Sequence, residues 1–364
     1  VSRTMDDDSW IVAYTMDNGP VRYYRYERAT RAYQYLFTGR PALEGLALAR
    51  MRPVVIPARD GLDLVCYVSL PLDCPVDSAG RPAAPLPLVL WVHGGPWYRD
   101  SWGYDPIHQW LANRGFAVMS INFRGSTGFG KAFLNASNRE WAGRMHDDLL
   151  DAVEWAVREG IADPKRVAIS GGSYGGYATL VGLTFTPEAF ACGVDIVGPS
   201  SLVTLMENVP DYWIPMMPVL RDRVGDHTTE EGRALLLERS PLTRADRICR
   251  PLLIAQGAND PRVKQRESDQ IVAAMREKSI PVTYLVYPDE GHGFVRPENR
   301  ISFFAAMEAF LAGQLGGRYE PVGGDLEGSS VQAVHGVEYV PGLAEAMAAR
   351  QSTHDGGGSR CPNG

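Results

Sequence analysis

The chain has 364 residues, 45% of them hydrophobic and 22% charged, and a formal net charge of −7; this is the balance of a globular protein long enough to bury a sizeable core. The acidic excess excludes a general nucleic-acid binder, because no basic field is present to collect phosphates. No apolar run approaches the roughly 18 residues needed to cross a bilayer, and the opening VSRTMDDDSW has neither the basic nor the apolar region of a signal peptide.

In chain order, residues 9 to 70 are β-like. WIVAYT, VRYYRYE, AYQYLF and MRPVVIPARDGLDLVCYVSLP are aromatic and β-branched runs separated by the turn formers DNGP, ERATR and RDG. From about residue 86 the texture changes, and apolar strands alternate with helical stretches. The strands are LPLVLWVHGG, FAVMSINFRG, RVAISGG, FACGVDIVG, PLLIAQGAND and VTYLVYPDEGH. The helices are MHDDLLDAVEWAVREG, GGYATLVGLTF, VKQRESDQIVAAMREKS and RISFFAAMEAFLAGQL. In the first of these, Leu149, Val153, Ala156 and Val157 recur at helical spacing. Such alternation predicts an α/β fold whose mostly parallel sheet has helices on both faces, preceded by a short β-rich segment. Residues 200 to 245 break the rhythm: NVPDYWIPMMPVL is too proline-rich for one regular helix and reads as an insertion over the sheet's edge. Past residue 316 periodicity is lost, and residues 321 to 364 are expected to be a Gly-rich disordered tail. Five cysteines (Cys66, Cys74, Cys192, Cys249 and Cys361) stand apart with no C-x-x-C pair. Reduced thiols and a cytoplasmic location are expected, although spacing alone leaves a disulfide open.

The stretch VAISGGSYGGYATL places Ser173 at a strand–helix junction among Gly171, Gly172, Gly175 and Gly176. Gly171 to Gly175 fit G-x-S-x-G, the nucleophile elbow, in the strand–turn–helix context that the motif requires. Glycines on both sides are expected because Cβ atoms there would clash with the neighbouring strand and helix. The following helix aims its N-terminal N–H groups and dipole at the same point, a place suited to a developing oxyanion. The competing reading is a Gly-rich turn whose serine only caps the helix.

An elbow serine needs a base and an acid, in the order serine, acid, histidine, each on a loop after a strand. Of the seven histidines, only His292 follows a late strand in a glycine-flanked loop, VYPDEGHGF. His335 and His354 fall in the expected tail, and His146 starts a predicted helix. Asp260, in LLIAQGANDPRV, occupies the acid's place. Asp289 lies three residues from His292 in the same loop and can hardly orient that ring, and Asp195 comes too early. Ser173, Asp260 and His292 are therefore expected to form a triad. The oxyanion donors are expected to be the N–H of Tyr174 and that of Gly95, in the loop His93-Gly94-Gly95-Pro96. His93 reads as a structural histidine anchoring that loop.

GSTGFGKA has the G-x-x-x-x-G-K spacing of a P-loop, but Ala132 stands where Ser or Thr must hold Mg²⁺ and no clear helix opens on Lys131, so a nucleotide site is set aside. No paired-histidine or H-E-x-x-H spacing points to a metal, and no cofactor is expected.

Together GGSYGG, HGGPW, NFRGSTGFGK, DDLLDAVEW and DEGHGF resemble the α/β-hydrolase catalytic domain of the prolyl oligopeptidase family of serine peptidases, most nearly its acylaminoacyl-peptidase-like branch. The resemblance runs over roughly residues 50 to 320. It implies the same triad and oxyanion donors, and it matches Arg262 to an arginine beside the substrate. It also implies that the FRGSTGFG loop is a family feature. Family members carry a large N-terminal β-propeller, in which an amine-binding carboxylate pair sits. Only about 50 residues precede the hydrolase portion here, so residues 1–50 are expected to be a remnant of propeller and linker, 51–320 the catalytic domain and 321–364 the tail.

Two enzymatic readings follow: a peptidase removing acylated or free residues from short peptides, and a carboxylesterase using the same triad, since an alkoxide leaves without a well-placed proton. A third is a non-catalytic fragment whose exposed strands pair between chains. PDYWIPMM is expected to form part of the acyl or side-chain pocket through Trp213 and Met216, although ordinary packing explains them as well. The expected partner is a small peptide or ester, with no nucleic acid or membrane, and self-association into a homo-oligomer is left open.

Overall fold

The computed structural model describes residues 1–355, and its first strands follow from alternating aromatic residues. β1 (Ser2–Arg3), β2 (Ser9–Tyr14), β3 (Arg22–Glu27) and β4 (Ala32–Thr38) form an antiparallel meander in chain order. Tyr24 meets Tyr14, Tyr33 and Tyr35 of neighbouring strands at ring-centroid distances of 5.4, 5.8 and 5.7 Å, the cross-strand packing that supports such a ribbon. Most of this sheet is open to solvent. The buried carboxylate of Asp17 ties it to the rest of the chain, accepting from Met51 N at 2.9 Å and pairing with Arg50 at 3.0 Å.

The second sheet has nine strands: β5 (Met51–Pro57), β6 (Asp63–Ser69), β7 (Leu86–Val92), β8 (Ala117–Asn122), β9 (Ala162–Gly172), β10 (Cys192–Ile196), β11 (Leu252–Gly257), β12 (Val282–Tyr287) and β13 (Gln332–His335). Their spatial order is β13-β12-β11-β10-β9-β7-β8-β6-β5. Neighbours from β12 to β8 run parallel, and antiparallel strands close both edges. The buried run Leu252-Leu253-Ile254-Ala255 shows why both faces are covered. Leu252 and Ile254 enter one apolar cluster, while Leu253 and Ala255 enter another on the opposite face.

Ten helices are described: α1 (Pro106–Asn113), α2 (Lys131–Asn135), α3 (Arg144–Arg158), α4 (Tyr174–Phe185), α5 (Leu202–Glu207), α6 (Met217–Arg223), α7 (Glu230–Glu238), α8 (Gln265–Glu277), α9 (Pro297–Leu315) and α10 (Leu343–Asp355). Leu149 of α3, Leu180 of α4 and Ile271 of α8 pack on one face of the sheet. Leu111 of α1, Phe310 of α9 and Leu343 of α10 pack on the other. α4 is buried from Tyr174 to Thr184, as befits a helix apolar on every side.

Three expectations need correction. A short helix does open at Lys131, because Gly130, at φ 92°, turns the chain into α2. Residues 200–245 fold as α5, α6, α7 and 3-10 turns over Asp211–Met216 and Pro241–Arg247. They bury Leu202, Met206, Leu220 and Leu236 in the α4-side cluster, so they belong to the core rather than lying over an edge. The disordered tail also fails for its first part. β13 pairs with β12, and Val322, Leu326, Val331, Val340 and Leu343 are all at most 3% exposed. Single apolar residues between glycines pack here one at a time, so no periodicity announces them. The GGGSRCPNG end, with Cys361, lies outside the described residues. Cys66, Cys74, Cys192 and Cys249 are free, and among the described residues no helix is long and apolar enough to cross a membrane.

Ending the chain at Leu315 strips that cover from α9 and β12. The thermal midpoint should fall by at least about 5 °C in a calorimetric scan. An unchanged midpoint would mean the segment only drapes over a self-sufficient core.

Candidate active site

β9 ends at Gly172 and α4 begins at Tyr174, so Ser173 makes the turn alone. Its backbone stands at φ 58°, ψ −115°, which a residue with a side chain adopts only under constraint. Ser173 N donates to Ile196 O at 2.8 Å, and Tyr177 N donates to Ser173 O at 3.0 Å. Sterics add the rest: a Cβ on Gly171 or on Gly175 would run into the carbonyl oxygen of Val92, the last residue of β7. Gly172 is different, because a Cβ there would meet only Ile196 O at 3.9 Å. The expected steric need for glycine thus applies to Gly171 and Gly175 but not to the serine's immediate neighbour. In the first turn of α4 the N–H groups of Tyr174, Gly175 and Gly176 have no intrahelical acceptor, and the helix's positive end is directed at Ser173.

Asp260 and His292 stand on the loops after β11 and β12, at the same carboxyl edge of the sheet. His292 Nδ1 donates to Asp260 Oδ2 at 2.7 Å. Asp260 Oδ1 accepts from Arg262 N at 2.8 Å and Val263 N at 3.0 Å. The carboxylate is fully buried, while the His292 side chain is 12% exposed. A carboxylate so held keeps the proton on Nδ1 and leaves Nε2 as the basic nitrogen. No hydrogen bond joins His292 to Ser173 in this structure, so two of the three expected members are linked and the third shares their edge. Asp289 turns away to Ser330, Arg296 and Asn299, whose hydrogen bonds hold its carboxyl down at about 2. Asp195 is buried beneath α4, with Oδ1 accepting from Gly198 N at 2.9 Å.

The HGGP loop leaves β7 toward the same place. Gly95, at φ 120°, lines one cavity with Ser173 and Tyr174. His93 lies 2.8 Å from Gly94 O through Nδ1 and 2.9 Å from Ser126 Oγ through Nε2, with its ring stacked on Phe123 at 4.4 Å. A carbonyl only accepts, so Nδ1 carries the proton and Nε2 accepts from the Ser126 hydroxyl. Phe123 O, also in reach of that hydroxyl, is already served by Ser126 N at 3.0 Å. Burial pushes the His93 pKa down to about 4, in keeping with a neutral anchor for the loop.

The cavity measures about 220 Å³ and is mostly apolar. Trp97, Trp141 and Tyr174 line it. So do Pro199, Leu205, Met206, Val209, Leu220, Val224 and both residues expected from sequence, Trp213 and Met216. Arg262 does not line it. Its backbone N–H serves Asp260, and its guanidinium Nε donates to Tyr212 OH at 3.3 Å. Trp97 and Trp141 were not legible as cavity residues, although Trp97 follows the HGGP loop directly. Among the described residues no three His, Cys, Asp or Glu side chains gather as a metal site.

Residues 102–318 match the model of the prolyl oligopeptidase family. The chain is 61% identical over 346 residues to dipeptidyl aminopeptidase BIII of Pseudoxanthomonas mexicana, covering 95% of this chain and 50% of that protein. It is 47% identical to dipeptidyl peptidase family member 6 of Caenorhabditis elegans, covering 88% of this chain and 45% of that protein. The acylamino-acid-releasing enzyme of Arabidopsis thaliana is 30% identical, over 60% of this chain and 29% of that protein. A puromycin-hydrolyzing peptidase of Mycobacterium tuberculosis superposes with a TM-score of 0.75 at 30% identity, covering 86% of this chain and 47% of that one. The chain thus spans about half the length of the curated relatives it matches, and its nine-stranded sheet is that of an α/β-hydrolase.

The elbow sterics separate two similar substitutions. Gly175→Ala drives a methyl into backbone that cannot yield and should cost about a hundredfold in serine-directed labelling rate. Gly172→Ala should label like the parent. Equal rates for the two variants would show that the Val92 contact does not set the elbow.

Proposed function

The chain belongs to the prolyl oligopeptidase family, and from that premise we propose that it is a serine peptidase acting on short peptides, with Ser173 as nucleophile, His292 as base and Asp260 as its orienting acid. The observation that carries this reading is the 2.7 Å bond from His292 Nδ1 to a doubly amide-bound Asp260, on the edge where Ser173 is held in a strained turn. His292 Nε2 takes the hydroxyl proton as Ser173 Oγ attacks the scissile carbonyl, and the charged ring is stabilised by Asp260. The N–H groups of Tyr174 and Gly95 receive the oxyanion, an effect of about 3 kcal/mol per donor where it has been measured. The imidazolium then returns its proton to the leaving amine, and water releases the acyl group by the same steps.

The side chain next to the scissile bond enters the apolar cavity, where Trp213 and Met216 form part of the wall. A cavity of about 220 Å³ suits a mid-sized or aromatic apolar side chain and offers a charged one no partner. Arg262, whose guanidinium donates to the Tyr212 hydroxyl, is read as meeting the polar part of the substrate. The dipeptidyl peptidases among the relatives favour release of dipeptides from a free N-terminus over release of single acylated residues. Esters should be cleaved by the same site, since their leaving group needs no proton. Residues 1–50 are read as one blade and linker of a propeller, the four-stranded meander being the form of a single blade.

Ser173→Ala should abolish fluorophosphonate labelling and turnover, and Asp260→Asn should lower kcat by about 10⁴ with the fold intact. Near-normal turnover in either variant would remove that residue from the triad. Among p-nitroanilides, a free dipeptide with an apolar residue at the cleaved bond should exceed its lysine or glutamate counterpart by at least tenfold in kcat/KM, on the order of one or two lost contacts. Preference for an N-acetylated single residue would assign the acylaminoacyl type instead, and cleavage of p-nitrophenyl esters alone would make the chain an esterase.

A further inference from the structure

Asp195 stands apart from the Asp260–His292 pair, yet it occupies an unusual place. β10 runs beside β9 with Asp195 opposite Gly171 and Ile196 opposite Gly172. Gly171 has no side chain, so the Asp195 carboxyl enters the space beneath the first turn of α4. There a Cβ on Gly176 or on Gly198 would collide with its Oδ1. Gly198 N donates to that oxygen at 2.9 Å, closing a turn in which Val197 stands at φ 50°. A β-branched residue keeps such a φ only where its surroundings impose it. The same turn carries Ile196 O, the acceptor for Ser173 N at 2.8 Å, and leads into Pro199 on the cavity wall. Asp195 is completely buried, and its Oδ2 has no partner.

We propose that Asp195 is a positioning residue of the nucleophile elbow: it braces the 195–198 turn against the first turn of α4 and, through Ile196 O, fixes the backbone of Ser173. This rests on the reading of Ser173 as nucleophile. Burial pushes the Asp195 pKa up to about 8, so at neutral pH the brace is an uncharged carboxylic acid. An uncharged group leaves the positive end of α4 to the oxyanion, whereas a carboxylate there would compete for it. Around Asp195, β9 presents Gly171, β11 presents Ile254 and α4 presents Gly176. α4 also carries Tyr174 and Tyr177, both pushed up by burial. On β12 the Tyr284 phenol, which donates to Asp269 of α8 at 2.8 Å, is raised by its burial and by Asp269, with Asp195 the smallest contributor. Asp100, in the loop after β7, is pushed up to about 7 by its own burial. It titrates in the same range, so the parent's pH profile alone does not isolate Asp195.

The test compares the full chain with Asp195→Asn and Asp195→Ala from pH 5 to 10, measuring fluorophosphonate labelling rate per folded molecule and kcat on a peptide p-nitroanilide. The Ala variant should lose at least about tenfold in both at pH 7. The Asn variant should restore both, because its amide oxygen still accepts from Gly198 N. It should also hold its rate above pH 8, where the parent declines. A second reading uses stability. With the folded pKa raised above the usual 3.8, the folded chain keeps a proton that the unfolded chain releases. That contribution is full below about pH 4 and is lost as pH rises to about 8, so the Asn variant should gain thermal midpoint on the parent over this range. An Ala variant that labels like the parent, an Asn variant as slow as Ala, or an unchanged alkaline decline in Asn would overturn the proposal. If the Ala variant does not fold, the Asn profiles still decide. Absence of Ser173 labelling in the parent would overturn the nucleophile assignment and the proposal with it, whereas normal parent labelling with an unaffected Ala variant would overturn the proposal alone.

Discussion

One contact between backbones governs this site: the carbonyl oxygen of Val92 lies where Gly171 and Gly175 would each carry a Cβ. With no side chain between them, the end of β7, the elbow and the first turn of α4 have little freedom to slide past one another. β7 and β9 are direct neighbours in the sheet, so the loop that continues β7 is delivered to the elbow as well. A Cβ on Gly94 would sit 3.0 Å from Gly172 O and 3.4 Å from the Cβ of Ser173. Gly95 and Tyr174, from segments far apart in sequence, therefore line one cavity as a consequence of strand order.

Buried polar groups then lock what the backbones bring together. Arg124 is 2% exposed and meets Asp148 at 2.7 Å and Asp60 at 2.8 Å. Its backbone N–H also donates to Asp148 at 2.8 Å. Burying such ions is costly, and an apolar replacement of equal volume would often be as stable. What the ions add is direction. They fix the start of the GSTGFGK loop, whose Ser126 meets His93, and His93 in turn holds the carbonyl of Gly94. A stretch with P-loop spacing thus anchors the HGGP loop, through Ser126 and His93.

The strand–helix alternation, the strand–turn–helix at Ser173 and the placing of Asp260 and His292 on loops after late strands were legible because each is a local pattern with a long-range meaning. Asp260 could be chosen over Asp289 because a loop residue three positions from His292 cannot easily reach back to its ring, and the structure turns Asp289 to Arg296 and Asn299. Less legible was anything set by contact alone. Gly171 and Gly172 read alike in sequence, yet only the first faces the Val92 carbonyl. Val322, Leu326 and Val331 are isolated among glycines and polar residues, and their burial depends on α9 and β12 being already in place. Trp141 comes from a poorly periodic stretch whose position depends on packing against Tyr174 and Tyr177, at 4.7 and 5.2 Å.

The division between what is written in backbone and what is written in side chains has a functional consequence. The chemistry proposed for the chain rests on loops at the carboxyl ends of central parallel strands, where register and sterics constrain the backbone. The cavity lining comes largely from residues 199–224, a succession of short helices and 3-10 turns. That segment is joined to the core by clamps of its own. Glu267 of α8 accepts from Ser200 N at 3.0 Å and Ser201 N at 2.8 Å, so α5 is held at its amino end rather than along its cavity face. Leu205 and Trp213 pack on the apolar cluster that includes Tyr174, whereas the close approach at the elbow is made by backbone atoms of β7, β9 and α4. On the proposed reading, the wall that selects a side chain and the backbone that sets the nucleophile are built from different parts of the chain.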